Sequence, residues 1–381
     1  MRVSPAWLAA PPLQCLMRAM GDGGFGCYVV GGAVRNTLMG LPVTDIDLAS
    51  SATPEGVTNI AKSAGFRVVP TGLAHGTVTV VADGAAYEVT TFRRDLATDG
   101  RHATVAFTYD LAQDAARRDF TINALYCDAD GAVIDPKGGL PDIAARRVRF
   151  VGSPAARIAE DYLRILRFFR FTAQYGNPDL GFDADTLAAC AAHLDGIDHL
   201  SKERIGQEMR KLLGADDPAP ALGAMSATGV LMRVLAGADH RFIAPLVHIE
   251  GGAARGWALR LALLGGQDVA AALRLSRAEV AQLAAIQDGL ADNLTAAALG
   301  WRFGSALGGD ILHGRAALMG QELPQNWQAE LQRGAMSTCP ITAADYMPQL
   351  KGPDLGRAIR NATQTWLASD LRASRDDLLQ G

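Results

Sequence analysis

The chain has 381 residues, of which 49% are hydrophobic, and a formal net charge of −4. This length exceeds what one compact core usually holds, so we expect several domains. No apolar run approaches the ~20 residues that span a membrane, and the acidic balance excludes a protein that coats nucleic acid through bulk charge. A local basic groove would still suffice to bind RNA.

Cysteine usage and the first residues indicate where the protein works. The sequence of residues 1–20 is broken by Pro11-Pro12 and does not have the pattern of a secretory signal. The cysteines are scattered without a CxxC pair, which predicts thiols in a reducing cytoplasm and not disulfides or zinc ligands. They are Cys15, Cys27, Cys127, Cys190 and Cys339.

The first third of the chain combines strand and helix patterns. A helix should begin after Thr53, which suits the N-cap, with Pro54 at the first helical position and Glu55 in the first turn. Short runs rich in β-formers predict strands on both sides of it. These runs are residues 28–30, 46–48, 66–69, 77–81 and 87–92.

A glycine pair and two alternating aspartates follow the first predicted strand. Gly31 and Gly32 leave backbone N–H groups free to bind phosphate at the start of a helix. Asp45 and Asp47 are two residues apart, so in a strand both carboxylates point to one face. They repel unless a cation lies between them, and a hard divalent ion suits oxygen ligands. A metal beside a phosphate-binding turn predicts phosphoryl or nucleotidyl transfer.

The ordered segments 31–36 and 45–47 resemble the signature of the class II tRNA nucleotidyltransferases and bacterial poly(A) polymerases. That branch belongs to the nucleotidyltransferase superfamily that includes DNA polymerase β. The resemblance implies that Asp45 and Asp47 are catalytic and hold Mg²⁺. The branch usually has aspartate where this chain has Asn36, which removes a charge and a salt-bridge role there but not the metal site.

Glu88 is the candidate for a third carboxylate. It shares one face of a predicted strand with Thr90. The resemblance implies that Glu88 joins Asp45 and Asp47 in a catalytic two-metal site and takes part in activating the attacking hydroxyl. The alternative is a solvent-facing glutamate on an edge strand.

Residues 117–124 read RRDFTINA, which resembles a motif of the same family. The resemblance implies that Asp119 and Asn123 bind the ribose, although Asp119 would also suit a helix N-cap. Arginine makes paired hydrogen bonds to phosphate oxygens, so the two arginines of this motif would balance a triphosphate. The expected phosphate-binding residues are Gly31, Gly32, Arg35, Arg117 and Arg118.

The segment 160–171 is predicted to be helical, which makes Asp161 and Arg164 neighbours on one face. One interpretation of these two residues is a surface ion pair without a functional role. The segment also resembles the EDxxR motif of class II CCA-adding enzymes, in which these two residues recognise the base. An acceptor beside a donor complements cytosine and adenine and rejects guanine and uracil. Arg167 and Arg170 are further candidates for nucleotide or RNA contacts.

Three more segments carry weaker signals. Residues 92–102 are predicted as a polar loop, which resembles the family's flexible loop near the nucleotide but would also suit a hairpin. Residues 201–209 resemble the helix that closes the family's neck domain. Lys351 and Arg357 lie in a segment that resembles the KGPxxG stretch of the family's tail. They could bind an RNA phosphate at the start of a helix, or the segment could be a simple turn.

Strand patterns disappear from about Pro154 onward, where alanine, leucine and arginine dominate. We therefore expect an α+β nucleotidyltransferase head of mixed sheet and flanking helices, followed by an all-α neck, body and tail. The predicted boundaries are 1–150, 151–217, 218–330 and 331–381. The segments 216–220, 251–252 and 265–266 look like boundaries in this helical region.

The resemblance implies template-independent addition of CCA to the 3′ end of tRNA, with ATP, CTP and tRNA as partners and no membrane. Whether the protein adds all of CCA, only CC or only A stays open. A poly(A) polymerase shares the head, but Thr71–Val78 looks like the CCA-adding version of that stretch. A catalytically silent RNA-binding protein and a small-molecule nucleotidyltransferase are the remaining alternatives.

Overall fold

A computed structural model describes residues 1–72, 76–98, 103–253, 256–347 and 349–380. The chain divides into two compact units. One unit comprises Met1–Ser201 with Ala227–Arg233, and the other comprises Lys202–Ser226 with Val234–Gly381. Among the described residues, no helix is long and apolar enough to cross a membrane. The finer division into head, neck, body and tail stays a prediction.

The strands lie in the first unit and form a mixed sheet, as predicted. Within the described residues, seven strands are ordered β3-β4-β5-β2-β1-β8-β9, and β6 pairs with β7 separately. β2 and β5 are parallel, and the other described pairs are antiparallel. The strands are β1 (Cys27–Val30), β2 (Asp47–Ser50), β3 (Arg67–Gly72), β4 (Thr77–Ala82), β5 (Ala85–Thr91), β6 (Arg93–Thr98), β7 (Ala103–Phe107), β8 (Tyr126–Cys127) and β9 (Val133–Ile134).

Helices flank this sheet and make up the second unit. They are α1 (Pro11–Asp22), α2 (Gly32–Met39), α3 (Pro54–Ser63), α4 (Leu111–Ala116), α5 (Gly139–Ala145), α6 (Pro154–Glu160), α7 (Leu163–Tyr175), α8 (Ala184–Ala192), α9 (Lys202–Leu213), α10 (Ala219–Ala227), α11 (Val230–Val234), α12 (Ile243–Glu250), α13 (Trp257–Leu264), α14 (Val269–Ala272), α15 (Arg277–Ala291), α16 (Ala296–Met319), α17 (Trp327–Met336), α18 (Ala343–Tyr346), α19 (Gly352–Ala368) and α20 (Arg375–Gln380). α16 is interrupted at Gly304, which has φ 77°.

Local sequence signals explain several of these boundaries. Thr53 caps α3 by accepting a hydrogen bond from the amide of Gly56 at 3.2 Å, as predicted. Two glycine pairs that the sequence marks as boundaries follow helices, because α12 ends before Gly251 and α13 ends before Gly265. Both glycines have positive φ, which suits the end of a helix.

Two predicted elements differ from the structure. The helix expected over 160–171 is broken at Asp161, whose extended backbone separates α6 from α7. The Asp161 carboxylate accepts the amide of Leu163 at 3.1 Å, so its side chain competes with the helical hydrogen bonds. The polar loop expected over 92–102 is shorter, since residues 93–98 form β6; residues 99–102 lie outside the described part of the chain.

Aromatic packing fixes α7 against the segment that follows α4. The Phe120 ring centroid lies 4.8 Å from that of Phe150 and 5.0 Å from that of Phe171. Phe168, on the same helix as Phe171, stacks on Phe150 at 5.9 Å. Because these rings are buried, the polar residues next to them on the two segments are held in register.

A buried ion pair holds the second unit together. The side chain of Arg260 is fully buried, and its Nη2 lies 2.6 Å from Oε2 of Glu250. Its Nη1 also donates to the carbonyl of Leu213 at 2.7 Å. One guanidinium group therefore connects α13 to the last residues of α9 and α12, where a lost partner would leave a buried charge unpaired.

Candidate active site

The glycine pair forms the turn between β1 and α2. Gly31 has φ 70°, a left-handed value that favours glycine, and its amide donates to the carbonyl of Leu125 at 3.1 Å. α2 begins at Gly32. The turn borders a cavity of about 630 Å³ in the first unit. A cavity of this volume is within the range of small-molecule sites.

Two of the predicted catalytic carboxylates are neighbours across the sheet. The parallel pairing of β2 with β5 puts Asp47 directly opposite Glu88. Asp45 lies two residues before β2 starts, so the alternation expected for a strand does not reach it. Its Oδ2 accepts a hydrogen bond from Thr44 at 3.1 Å.

The three carboxylates nevertheless interact electrostatically. Partial loss of hydration raises the pKa of Asp47, and the charges of Glu88 and Asp45 raise it further, while Arg118 opposes them. Negative charge is thus concentrated beside the glycine turn, since Val30 at the end of β1 pairs with Asp47. A bound cation would relieve this repulsion.

The donor set fits a magnesium ion that shares its ligands with a substrate. In the described part of the chain, no group of three or more His, Cys, Asp or Glu residues has the geometry of a complete metal site. Mg²⁺ is usually bound by one or two carboxylates together with substrate phosphates and water. The Asp47–Glu88 pair is consistent with that mode of binding.

A buried aspartate that the sequence analysis missed holds the two arginines of the RRDFTINA motif. Asp114 is fully buried, and its two carboxylate oxygens lie 2.7 Å from Arg117 Nη2 and 2.9 Å from Arg118 Nη2. Tyr126 donates a further hydrogen bond to it at 2.6 Å. Burial alone would raise the pKa of Asp114, but the arginines and Tyr126 outweigh it and lower the pKa. The spacing of Asp114 three and four residues before the arginines is the signal that would have revealed it.

The predicted ribose-binding residues belong to a chain of hydrogen bonds. The side-chain N–H of Asn123 donates to the Asp119 carboxylate at 3.0 Å, and the side-chain oxygen of Asn123 accepts from Arg35 Nη1 at 2.5 Å. Arg167, on α7, donates to Asp119 from the other side. Burial alone would raise the pKa of Asp119, but Arg167 and the hydrogen bonds hold it at about 2.

Asn36, a neutral residue, orients the Arg35 guanidinium through a hydrogen bond and not through an ion pair. Its side-chain oxygen accepts from Arg35 Nη2 at 2.8 Å, and its amide donates to the carbonyl of Pro42 at 2.7 Å. The Arg35 guanidinium also lies 4.0 Å from the ring centroid of Tyr175 and donates to its hydroxyl at 2.9 Å. Asn36 therefore accepts from Arg35 but forms no salt bridge, as the sequence predicts.

The predicted base-recognition residues lie beside the cavity and do not line it. Arg164 binds Oε2 of Glu160 at 2.5 Å and donates to the carbonyls of Arg157 and Arg117 at 2.9 and 3.0 Å. Among the described residues, neither Asp161 nor Arg164 borders the cavity of the glycine turn. Arg164 is connected to that cavity through the backbone of Arg117.

Most of the other predicted residues do line the cavity. They are Gly31, Gly32, Arg35, Asp47, Glu88, Arg117, Arg118, Asp119, Asn123, Arg167 and Arg170. The lining also includes residues that the sequence analysis did not assign to the site, namely Thr77, Thr90, Arg93 and Phe171. Thr77 and Thr90 are hydrogen-bonded across β4 and β5 at 2.9 Å, and this cross-strand pair could not be read from local motifs.

The tail candidates belong to the second unit. Lys351 is exposed and occupies the N-cap position of α19 without a capping hydrogen bond from its side chain; the helix begins at Gly352 with φ 57°. Arg357 forms an ion pair with Asp354 in the first turn of the same helix. The predicted helix start is confirmed, whereas phosphate binding by Lys351 and Arg357 stays a prediction.

Comparison with known proteins agrees with this geometry. The family model described as the poly A polymerase head domain matches residues 27–149, which include the glycine turn, the carboxylates and the RRDFTINA motif. A second model, described as a probable RNA and SrmB-binding site of polymerase A, matches residues 179–240. The chain thus combines a segment similar to a poly A polymerase head domain with a following segment similar to an RNA-binding region of polymerase A.

Individual relatives narrow the class. The crystal structure of the Bacillus stearothermophilus CCA-adding enzyme in complex with CTP has a TM-score of 0.72 and 32% identity, and the match covers 94% of both chains. The chain therefore belongs to the family of CCA-adding enzymes that carry the poly(A) polymerase head domain. Nucleotidyltransferases of this family use divalent metal ions.

Curated relatives match over a shorter region. The CCA-adding enzyme of Geobacillus thermodenitrificans is 42% identical over 229 residues, which are 58% of this chain and 54% of that protein. The mitochondrial CCA tRNA nucleotidyltransferase 1 of Homo sapiens is 44% identical over 186 residues, which are 49% of this chain and 43% of that protein. The chain thus matches about half the length of these relatives.

Proposed function

We propose that this protein adds CCA to the 3′ end of tRNA without a nucleic-acid template, using CTP and ATP. The pairing of Asp47 with Glu88 in the same cavity as the Arg117–Arg118 pair carries the proposal. That arrangement puts negative ligands for a metal beside positive ligands for a triphosphate, which is what nucleotidyl transfer requires. The similarity to a CCA-adding enzyme in complex with CTP supports CTP as a substrate.

Asp45, Asp47 and Glu88 would hold Mg²⁺, in a two-metal site. When bound there, the ions would activate the 3′-hydroxyl of the tRNA and neutralise charge on the leaving pyrophosphate. Thr44 donates a hydrogen bond to the Asp45 carboxylate. Loss of hydration raises the pKa of Asp47, and the charges of Glu88 and Asp45, which a bound cation would offset, raise it further.

Phosphate and sugar would be held by the residues that surround the carboxylates. The N–H of Gly31 already donates to the carbonyl of Leu125, so the N–H of Gly32 at the start of α2 would bind phosphate. Arg117 and Arg118, whose orientation Asp114 fixes through two ion pairs, would bind it as well. Arg35, Asn123 and Asp119 form one chain of hydrogen bonds. These hydrogen bonds would present the side-chain amide of Asn123 to the ribose hydroxyls.

Base selection would depend on Asp161 and Arg164, with Arg167 and Arg170 as further contacts. A carboxylate acceptor beside a guanidinium donor complements the edges of cytosine and adenine. Arg164 now donates to Glu160 and to two backbone carbonyls, so reading a base requires it to exchange at least one of these acceptors.

The tRNA itself would also contact the helical region. Lys351 and Arg357 are the candidates for binding an RNA phosphate at the start of α19. We also propose a cytoplasmic location, which is supported by the five cysteines, all of which are free thiols.

Incubation with tRNA transcripts that end before CCA, after the first C or after CC tests the function, with each nucleoside triphosphate supplied alone. CTP should extend the first two transcripts and stop before the final position. ATP should extend only the transcript that ends in CC. Asp47→Asn serves as the inactive control.

Other outcomes would identify the alternatives. Repeated ATP addition to every transcript would identify a poly(A) polymerase and contradict the proposal. Binding of all three transcripts without extension by any nucleotide would identify a catalytically silent RNA-binding protein.

A further inference from the structure

A second cavity, of about 400 Å³, lies in the first unit on the other side of α7 from the residues that line the catalytic cavity. Its walls come from the end of α5, the segment 147–150, the segment 176–183 and the first turn of α8. Phe168 and Thr172 of α7 line it, whereas Arg167, Arg170 and Phe171 line the catalytic cavity. Among the described residues, the two cavities share no lining residue.

The second cavity has a basic rim. Arg146, Arg147 and Arg149 line it, and all three residues are exposed. Arg149 lies 3.0 Å from the buried carboxylate of Asp142. The side chains of Arg146 and Arg147 make no hydrogen bond or ion pair with any described residue. Two guanidinium groups are thus available, and this group matches the geometry of phosphate.

The backbone holds one of these arginines in an unusual conformation. Arg146 has φ 51° at the end of α5, a left-handed value that costs energy for a residue with a Cβ. Its carbonyl accepts the amide of Asn177 at 2.8 Å, and its own amide donates to Ile143 at 3.1 Å. The backbone of Arg146 is therefore held by one hydrogen bond to α5 and by a second to Asn177, which also lines the cavity.

The floor of the cavity is aromatic and apolar. Phe150 and Phe168 are buried and stack on each other, and the half-buried Phe182 lies with its ring centroid 6.2 Å from that of Phe168. Leu180 is 49% exposed at the entrance. Aromatic and apolar faces next to guanidinium groups are the elements that bind a stacked base and its phosphate.

Two carboxylates complete the lining. Asp183 caps α8 through one carboxylate oxygen, Oδ2, which accepts the amide and the hydroxyl of Thr186 at 2.8 and 2.6 Å, so its negative charge offsets part of the basic rim. Asp185 is exposed in the first turn of the same helix. Its carboxylate provides an acceptor for the exocyclic amino group of a base.

We propose that this cavity binds one nucleotide unit outside the catalytic cavity, with its phosphate on Arg146 and Arg147 and its base against Phe182 and Leu180. The volume is that of a small-molecule site. Leu180 and Phe182 fall within residues 179–240, where the RNA-binding family model matches, whereas the two arginines precede that match. The inference needs nucleotide binding alone and does not depend on CCA addition.

Hydrogen exchange of the full chain, with AMP or a short single-stranded oligoadenylate as the probe, tests this site separately from the catalytic cavity. The wild-type protein should gain protection in peptides covering 146–150 and 176–186. The Arg146→Ala/Arg147→Ala variant should lose that protection and retain protection around residues 117–123. The apparent affinity of this double variant for AMP or the oligoadenylate at the second cavity should fall about tenfold or more.

The matched control is Arg18→Ala/Arg67→Ala, which removes the same charge from two exposed arginines of the same unit that line neither cavity. This control should bind like the wild type. For the oligoadenylate, the arginine pair should also contribute a slope of about one or more to the dependence of log affinity on log salt.

The two probes separate the sources of the nucleotide. Protection by AMP would identify a site for a free nucleotide, and protection by the oligoadenylate alone would identify a site for an RNA strand. If neither probe protects these peptides, or if the control variant loses as much as the double variant, the proposal is wrong.

Discussion

Arg167 donates two hydrogen bonds to a single carboxylate oxygen of Asp119, from Nε at 2.8 Å and from Nη2 at 2.5 Å. The other oxygen accepts the amides of Phe120 and Asn123. The four acceptor positions of the carboxylate are therefore occupied within the protein. A ribose hydroxyl that binds to Asp119 must displace a donor, whereas the side-chain amide of Asn123 has a second N–H to offer.

Sugar selection is expected to depend on Asn123. Replacing it by Ala removes this N–H and should narrow the preference for NTP over dNTP by about ten- to hundredfold, since a lost hydrogen bond at a buried polar group costs ~1–3 kcal/mol. Steady-state kinetics with CTP and dCTP measure the ratio. Asn36→Ala is the control, because it loosens Arg35 without removing Asn123. An equal change in both variants would mean that the sugar is recognised through Arg35.

Acid stability should report on Asp119. Its pKa is about 2 in the folded protein, against 3.8 for an unperturbed aspartate, so ionised Asp119 stabilises the folded state. This contribution, about 2 kcal/mol, is fully present above the unfolded value and is lost as pH falls towards 2. The difference in unfolding free energy between the wild type and Asp119→Asn should therefore shrink from pH 5 to pH 2. A difference that stays constant over this range would contradict the assignment.

Asp114 is expected to control triphosphate binding through the arginines it holds. Asp114→Asn removes the charge that pairs with Arg117 and Arg118, and should raise the KM for CTP while destabilising the fold by about 1–3 kcal/mol. Asp110→Asn is the matched control, since this exposed residue caps the same helix, α4, and asparagine also caps well. Chemical denaturation and initial rates measure both effects. Unchanged kinetics in Asp114→Asn would remove Asp114 from the site.

A bound cation is expected to turn the ionised Asp47 carboxylate from a destabilising group into a stabilising one. The pKa of Asp47 is raised, so its ionised form opposes folding at neutral pH when no cation is present. Asp47→Asn should therefore melt at a higher temperature than the wild type in EDTA, abolish activity, and respond less to added Mg²⁺. Asp83→Asn, an exposed carboxylate in the turn between β4 and β5, should keep the wild-type Mg²⁺ response. Equal Mg²⁺ responses in all three proteins would exclude Asp47 as a ligand.

Base choice should separate Arg164 from its neighbour Arg157. Both bind Glu160, but only Arg164 is proposed to read the base. Arg164→Ala should weaken discrimination of CTP over UTP and of ATP over GTP together, each by about ten- to hundredfold. Arg157→Ala should disturb the same carboxylate and leave selectivity intact. Single-nucleotide incorporation with all four NTPs measures this selectivity. If Arg164→Ala keeps the selectivity of the wild type, the contact between Arg164 and Glu160 is a purely structural ion pair.

Sequence reasoning predicted the elements that depend on neighbouring residues. The five predicted strands and the cap at Thr53 are present, because alternating β-formers and capping side chains act locally. The glycine turn and the RRDFTINA residues could be assigned to one site from the sequence, because each of the two motifs is a continuous stretch. Both line the same cavity. The break at Asp161 was missed because its carboxylate competes with a helix that the apolar spacing favours.

Contacts between distant residues could not be predicted. Arg35 reaches Tyr175, which is 140 positions away, and Asp119 binds Arg167, which is 48 positions away. Both contacts depend on how the aromatic side chains of α7 pack against Phe120. Tertiary packing of this kind leaves no periodic pattern in the sequence, so the partners that orient the site appear only in the structure.

The parallel pairing of β2 with β5 also sets the order in which the carboxylates meet as the chain folds. β4 and β5 are joined by a short turn and can pair early, whereas β2 joins β5 only after the chain between them has crossed over through α3. Non-local pairing is slow because loop closure costs entropy before contacts compensate for it. Glu88 thus reaches Asp47 late, and affinity for a divalent cation should develop only when the sheet is complete.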